Sequence, residues 1–370
     1  MSDIRVGVIG VGHLGKIHAK LLGQVAGAKL AGVVDPMREA REQVATDLGT
    51  TAHADHTTLL GHIDAAIIAT PSRLHHAVAL DLLRHGIHVL VEKPITLSIG
   101  DADELIAEAN ARRLVLQVGH VERFNPALVA AAPHVCEPKY IDGVRSSPFT
   151  CRSTDIGVVL DLMIHDIDVV LSLVADELVS VQALGAAVFG PNEDWAQARL
   201  TFAGGCVANL SASRVAWQPQ RGMQIVCADA VAALDFATRK AKLMRPSETI
   251  LAGELDVNAL TPAEKTHLKD HLFSEYLPLA DLPTIETNAL LEEQRELVGA
   301  IRGEGAVRVS GQDGRRALDV AERILAEIAA HRWDGANDGP IGPRFEDRQA
   351  VLRGPHWQQA FRAATRRKAG

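Results

Sequence analysis

The sequence predicts two domains: a doubly wound α/β domain, then an α+β domain carrying a wide, mainly antiparallel sheet. Three observations lead there. Through residue 120, short apolar, β-branched runs alternate with segments of helical periodicity, as in a parallel sheet covered on both faces. A glycine-rich turn, Gly10-Val11-Gly12-His13-Leu14-Gly15, joins the first strand to the first helix. Beyond Lys139 the pattern changes to strand-length runs divided by turns, and clear helices return only near Ile285.

Ile4 to Ile9 reads as a strand and Leu14 to Leu22 as a helix, followed by strand Leu30 to Val34 and helix Arg38 to Leu48. Strand Asp64 to Ala69 leads to helix Leu74 to Arg84, and His88 to Val91 is a short buried strand. Helix Asp101 to Arg112 and strand Leu114 to Val118 complete the alternation, and right-handed crossovers make it doubly wound. In the second half Val179 to Val188, Ala196 to Phe202, Val207 to Val215 and Gly222 to Cys227 are candidate strands. Ala203-Gly204-Gly205 makes a hairpin between two of them. Helices are expected at Ile285 to Ile301 and Gly314 to Ala330. The domains are read as 1–122, 123–337 and a basic extension, 338–370.

Composition sets the class. Of 370 residues, 47% are hydrophobic and 23% charged, ordinary for a soluble globular protein long enough for two cores. A net charge of −8 argues against nucleic acid as the main partner. From Ile341 onward, however, seven basic residues face two acids, leaving +5 in the tail and −13 elsewhere. That tail reads as a solvated or partner-packed extension. The 4 cysteines are scattered, as expected of reduced thiols, and no Cys/His cluster has metal spacing, so no metal is expected. No apolar run is long enough to span a membrane, and the N-terminus enters a strand without a leader. A cytoplasmic protein is the expectation.

The glycine-rich turn has the context of a dinucleotide fingerprint, a strand before it and a helix after it. Gly10 permits a tight turn, Gly12 lets a pyrophosphate approach the backbone beside His13 and Leu14, and Gly15 lets helix and strand pack. Asp35 ends the second strand, where its carboxylate can accept from the adenosine ribose hydroxyls and disfavour a 2′-phosphate. NAD is therefore the expected cofactor, although Arg38 is near enough in sequence to leave NADP open. Thr70, Pro71, Glu92 and Lys93 follow strands and sit on the carboxyl edge where such sheets bind ligands. His75 lines the same turn without an assigned chemical role.

Together the fingerprint, Ala69-Thr70-Pro71 with His75, and Val91-Glu92-Lys93-Pro94 resemble the Gfo/Idh/MocA family of NAD(P)-dependent oxidoreductases. The resemblance continues through Asp161-Leu162-Met163-Ile164-His165-Asp166 and Val309-Ser310-Gly311-Gln312-Asp313-Gly314. It implies a second domain with an open sheet, used for homodimer or homotetramer contacts. It also implies that Lys93 reaches the reacting hydroxyl and that Asp161 and His165 complete the catalytic site. The run Gly119-His120-Val121-Glu122-Arg123-Phe124-Asn125-Pro126 is similar to members that oxidise C3 of UDP-N-acetylglucosamine. That resemblance implies a nucleotide-sugar substrate contacted by His120, Glu122, Arg123, Asn125 and Arg152. A downstream PLP-dependent aminotransferase would consume the product.

Read from the residues themselves, Asp161 and His165 are four apart on a helical segment, so the carboxylate is expected to orient the imidazole. Glu92 is expected to hold Lys93 in place. His165 as base with Lys93 stabilising the developing alkoxide is one assignment, and Lys93 as base is the other. The polar run from His120 to Asn125 can equally be an interdomain network without a ligand. A non-catalytic dinucleotide-binding sensor would be expected to lack groups such as Lys93 and His165. His267 and His271, with the same four-residue spacing on a charged helix, are read as surface residues.

Overall fold

The computed structural model describes residues 2–151, 155–333 and 341–343. Six parallel strands form the first sheet: β1 (Ile4–Ile9), β2 (Ala28–Val34), β3 (Ala52–His53), β4 (Ala65–Ile68), β5 (His88–Glu92) and β6 (Leu116–Gly119). Helices α1 (His13–Leu22), α2 (Arg38–Leu48), α3 (His75–Arg84) and α4 (Ile99–Arg112) make the crossovers. The strand order is β3-β2-β1-β4-β5-β6, which reverses direction beside β1. Ligands of such sheets bind above the carboxyl ends of the strands at that reversal. Helices cover both faces, so Val6, Val8, Ile67, Ile68, Val89 and Leu90 are completely buried. β3 has only two residues, too few for a periodicity to register in the sequence.

The second sheet has eight strands: β7 (Tyr140–Ser146), β8 (Leu178–Ala186), β9 (Trp195–Phe202), β10 (Val207–Ser213), β11 (Gln220–Val226), β12 (Val231–Asp235), β13 (Lys240–Met244) and β14 (Leu279–Asp281). Their order is β14-β13-β12-β11-β7-β10-β9-β8, antiparallel at every step except β7 with β10. The Ala203–Gly205 hairpin is present, with Gly205 at φ +86° and Phe202 paired to Cys206. The helices of this half are α5 (Pro126–Ala131), α6 (Ile164–Leu173), α7 (Glu248–Leu251), α8 (Pro262–Asp270), α9 (Ala289–Ile301) and α10 (Gly311–Ala330). Inward residues Ala198, Leu200, Ala208 and Leu210 share a core with Ile167 of α6 and Ile324 of α10.

α9 turns back to the first domain. Its Leu297 joins the core of Val6 and Ile67, while Leu291 and Val298 pack on Leu21 of α1 and on Val25 just beyond it. A segment placed in the second domain by sequence thus buries its apolar face on the first. Most of the basic extension lies outside the described residues. Among the described residues no helix is long and apolar enough to cross a membrane.

Candidate active site

The cofactor cradle follows from local geometry. Gly10 adopts φ +86°, and a Cβ there would lie 2.7 Å from the Ala69 carbonyl oxygen. A Cβ on Gly15 would lie 1.8 Å from the Gly10 oxygen, so only glycine permits this helix–turn contact. Gly12 differs: a Cβ there would meet nothing within 4 Å, at the exposed N-terminus of α1. The two structural glycines are closed in and the ligand-facing one is open, beside helix N–H groups suited to phosphate. His13 is exposed and Leu14 half-buried at this first turn. Asp35 closes the loop, its Oδ2 accepting from Val11 N at 3.0 Å and its Oδ1 from Met37 N at 2.9 Å. Arg38, which left NADP open, pairs instead with Glu42 at 2.7 Å along α2. These residues fit a bound NAD.

Farther along the same edge, His75 is a buried strut. Its Nδ1 faces Pro94 O at 2.8 Å and its Nε2 faces Thr70 O at 3.0 Å, tying the loops after β4 and β5 together. Burial lowers its pKa. Thr70 Oγ1 is buried without a partner, and Pro71 caps the short 3₁₀ turn that follows. The Lys93–Pro94 peptide bond is cis.

Lys93 projects from the end of β5 toward the second domain. Its Nζ donates to Asp161 O at 2.6 Å and to Asp161 Oδ1 at 3.0 Å. Two sequence expectations change at this point. Asp161 holds Lys93 and makes no hydrogen bond to His165, because Val159–Met163 is a π-helical turn. The wider turn displaces the face shared by residues four apart in an α-helix. Glu92 does not hold Lys93, because adjacent residues of a strand point to opposite sides. It faces inward, where its Oε1 accepts from His18 Nε2 at 2.7 Å.

His165, in the first turn of α6, lies beside this pair with Nδ1 buried and unpartnered. Its pKa is held well below the ordinary imidazole value, first by burial and then by the charges of Lys93, Arg145 and Arg221 and by His120. His120, just past β6, is fully buried with both ring nitrogens unpartnered. Its pKa is pushed down to about 3 by burial and by Lys93 and Arg123. The two rings meet edge to face, 6.3 Å between centroids. A cation from the first domain and neutral imidazoles from the junction and the second domain therefore occupy one electrostatic neighbourhood. Such a site can accept a proton and stabilise an oxyanion.

The polar run after β6 is largely structural. Glu122 Oε1 accepts from Arg145 Nη1 at 2.7 Å, and Arg145 grips Asp166 with two bonds, at 3.0 and 2.7 Å. Asn125 Nδ2 donates to Glu122 Oε2 at 2.8 Å and to Phe236 O at 3.1 Å, while its Oδ1 caps α5 through Ala127 N. Arg123 Nε lies 3.1 Å from Asp168 Oδ2. Burial raises the Asp168 carboxyl to about 7 against the pull of that guanidinium. Glu122, Arg123 and Asn125 thus face protein partners, whereas both ring nitrogens of His120 have none. Arg152 lies outside the described residues.

Sequence reasoning missed the support beneath Lys93. His18 Nδ1 faces Gln294 Nε2 at 2.8 Å, joining α1 to α9 behind Glu92. Glu293 beside it is fully buried, with both carboxylate oxygens unpartnered and its pKa raised well above the usual range. Burial is the first cause and the neighbouring Glu92 the second. The available signal was a histidine in the apolar stripe of α1, among Gly15, Ala19, Leu21 and Leu22. Arg145 and Arg221 carried none, since each is an ordinary alternate residue of a strand.

Comparison with known proteins agrees with this geometry. Residues 4–120 match the oxidoreductase family with an NAD-binding Rossmann fold, and residues 134–233 match the GFO/IDH/MocA C-terminal domain. The chain is 36% identical over 331 residues to UDP-N-acetylglucosamine 3-dehydrogenase of Acidithiobacillus ferrooxidans, spanning 89% of this chain and 99% of that protein. The solved structure of that enzyme superposes with a TM-score of 0.77 at 35% identity, covering 88% of this chain and 98% of the other. Levoglucosan dehydrogenase in complex with NADH shares the fold, with a TM-score of 0.74 at 18% identity over 88% of this chain and 97% of that one. With two consecutive domain matches and a relative aligned over nearly its whole length, the chain belongs to the Gfo/Idh/MocA family and is an NAD-dependent oxidoreductase.

Proposed function

We propose that this protein oxidises the C3 hydroxyl of UDP-N-acetylglucosamine to the 3-keto sugar. The observation that carries the reading is the meeting of Lys93, fixed by Asp161, with a neutral His165 across the domain junction. The substrate class is supported by the full-length similarity to an enzyme of that name. NAD, when bound in the Gly10–Gly15 cradle, supplies the hydride acceptor. His165, kept neutral by burial and by its cationic neighbours, takes the hydroxyl proton on a ring nitrogen. Lys93 stabilises the negative charge that develops on the sugar oxygen. Asp161 fixes the ammonium so that little reorganisation accompanies the reaction. Arg221, near enough to act on His165, adds positive potential suited to a diphosphate.

The 3-keto product suits a PLP-dependent aminotransferase as consumer, giving a 2,3-diamino sugar of the kind used in lipid A or surface polysaccharide. The open face of the second sheet suits a homodimer or homotetramer, and a cytoplasmic location suits both substrate and cofactor. The direct test is reduced-nicotinamide absorbance with NAD and a panel of UDP-N-acetylglucosamine, a UDP-linked uronic acid, free sugars and inositols. A 2-oxoacid is included as recycling oxidant so that retained cofactor does not mask turnover. Selective turnover of UDP-N-acetylglucosamine is expected. Turnover of an inositol or free sugar alone overturns the substrate assignment, and no turnover of any member favours a non-catalytic sensor.

A further inference from the structure

Between β13 and β14 the chain leaves the sheet for residues 245–278 and returns as its edge strand. This excursion contains α7, α8 and a π-helical turn, Leu272–Tyr276, none of which buries a residue. It supplies none of the groups assigned to catalysis or cofactor binding. Yet the start of α8 is firmly built: Thr261 and Glu264 form a reciprocal capping box, with Pro262 at the first helical position. One cluster on it is chemically distinct from a solvated helix face.

His267 on α8 and His271 at its C-cap stand four apart, their ring centroids 4.3 Å from each other. The π-helical turn begins directly after His271. Its wider winding returns Glu275 over His267, eight positions earlier, where a continued α-helix would carry the side chain farther around. Glu275 Oε2 lies 3.0 Å from His267 Nε2, and Oε1 lies 3.4 Å from His271 Nδ1. One carboxylate thus faces two imidazoles, and a ligand atom from each of the three residues falls within a 4.8 Å cluster.

We infer that His267, His271 and Glu275 form a binding site for a borderline divalent cation of the zinc class. Zinc takes imidazole nitrogen at about 2.0–2.1 Å and carboxylate oxygen at about 2.0–2.2 Å, usually with tetrahedral geometry. Neighbouring ligand atoms of such a tetrahedron are about 3.3 Å apart. The His267 and His271 nitrogens approach the Glu275 carboxylate at separations of that order, each through a different oxygen. Both imidazoles bind neutral, His267 through Nε2 and His271 through Nδ1, each retaining its proton on the other nitrogen. The carboxylate binds deprotonated, and water takes the fourth position because the cluster faces solvent. The site is a surface clasp joining α8 to the π-helical turn. Imidazole and carboxylate donors favour zinc, nickel or copper over magnesium or calcium.

The test uses full-length, tag-free protein stripped with chelator and then dialysed against Zn²⁺, with bound metal measured by atomic emission. One zinc per chain is expected in the wild type. The His267→Gln/His271→Gln variant should lose it, and Glu275→Gln should bind more weakly. Co²⁺ in place of zinc should give the intense visible absorption of a four-coordinate site, and this should vanish in the double variant. Zinc should also slow proteolysis within 245–278 in the wild type alone. Circular dichroism and dehydrogenase turnover should be unchanged in all variants, which separates ligand loss from misfolding. Failure of the wild type to bind zinc overturns the assignment. So does an unchanged stoichiometry in the double variant, which would move the ion elsewhere, including to the buried cluster of His18, Glu92 and Glu293.

Discussion

Replacing Gly12 with alanine separates the cofactor cradle from the fold that supports it. A Cβ at this position meets no protein atom within 4 Å, and the backbone, φ −63° and ψ −159°, is extended. Alanine is a weaker N-cap than glycine but restricts the unfolded chain more, so the net change in unfolding free energy should be about 1 kcal/mol or less. The added methyl instead occupies space through which a pyrophosphate would reach the α1 N–H groups. Hydrogen bonds to a charged partner are worth roughly 1.5–3 kcal/mol each. Displacing two of them costs about 3–6 kcal/mol, a loss of NAD affinity of at least about a hundredfold. Calorimetric titration with NAD, alongside thermal unfolding without it, reads both quantities. Gly15→Ala is the contrasting variant: its Cβ would sit 1.8 Å from the Gly10 oxygen, so the fold itself should fail. Retention of NAD affinity within about threefold in Gly12→Ala would refute the assignment of this turn to the pyrophosphate.

Other outcomes follow from the same structure. Lys93→Met should lower turnover by about a hundred- to a thousandfold while leaving NAD affinity nearly unchanged, as the loss of one oxyanion-stabilising group does; steady-state kinetics beside NAD titration checks it. Arg145→Met leaves Glu122 and Asp166 buried without their cation and should cost about 3–5 kcal/mol in urea unfolding. The raised folded-state pKa of Glu293 contributes stability that is complete below the unfolded carboxyl value and is lost as pH rises through the folded one. Glu293→Gln should therefore flatten the alkaline decline of melting temperature. The lowered pKa of His165 keeps the ring neutral, so the acid limb of kcat/KM should fall below about pH 6.5, the free-imidazole value.

Much of the fold could be read because the first domain repeats one strong pattern. β1, β4 and β5 are buried on both faces, so each is a plain apolar run bounded by turns. The second domain was harder to read. β7, β12 and β13 alternate small, polar and apolar residues, as in Tyr140 to Ser146 and Lys240 to Met244, and periodicity alone did not separate them from loop. β7 and β12 depend on pairing with β11, which follows β7 by more than seventy residues of chain, and β13 on pairing with β12. The excursion of α7 and α8 buries nothing, so it carries no apolar stripe to mark it.

The residues named in sequence for the candidate site make other pairings than the sequence suggested. Lys93, Asp161 and His165 do approach one another, but the sequence rule for residues four apart assumes an α-helix. One π-helical turn transfers Asp161 from the imidazole to the ammonium. That transfer changes the chemistry. A carboxylate bonded to His165 would stabilise the imidazolium and raise its pKa; a carboxylate bonded to Lys93 leaves His165 to burial first and then to cations, both of which lower it. The ring is then unprotonated before substrate arrives and becomes charged only as the alcohol gives up its proton. With Asp161 bonded to Lys93 and not to the ring, full proton transfer ahead of hydride loss would leave an imidazolium beside an alkoxide, so loss of the proton and of the hydride together is favoured. A solvent isotope effect and a substrate-deuterium isotope effect on the same step would follow from this coupling. Asp161→Asn, by loosening Lys93 and leaving His165 without a new partner, should shift the acid limb far less than loss of a direct carboxylate–imidazole bond would.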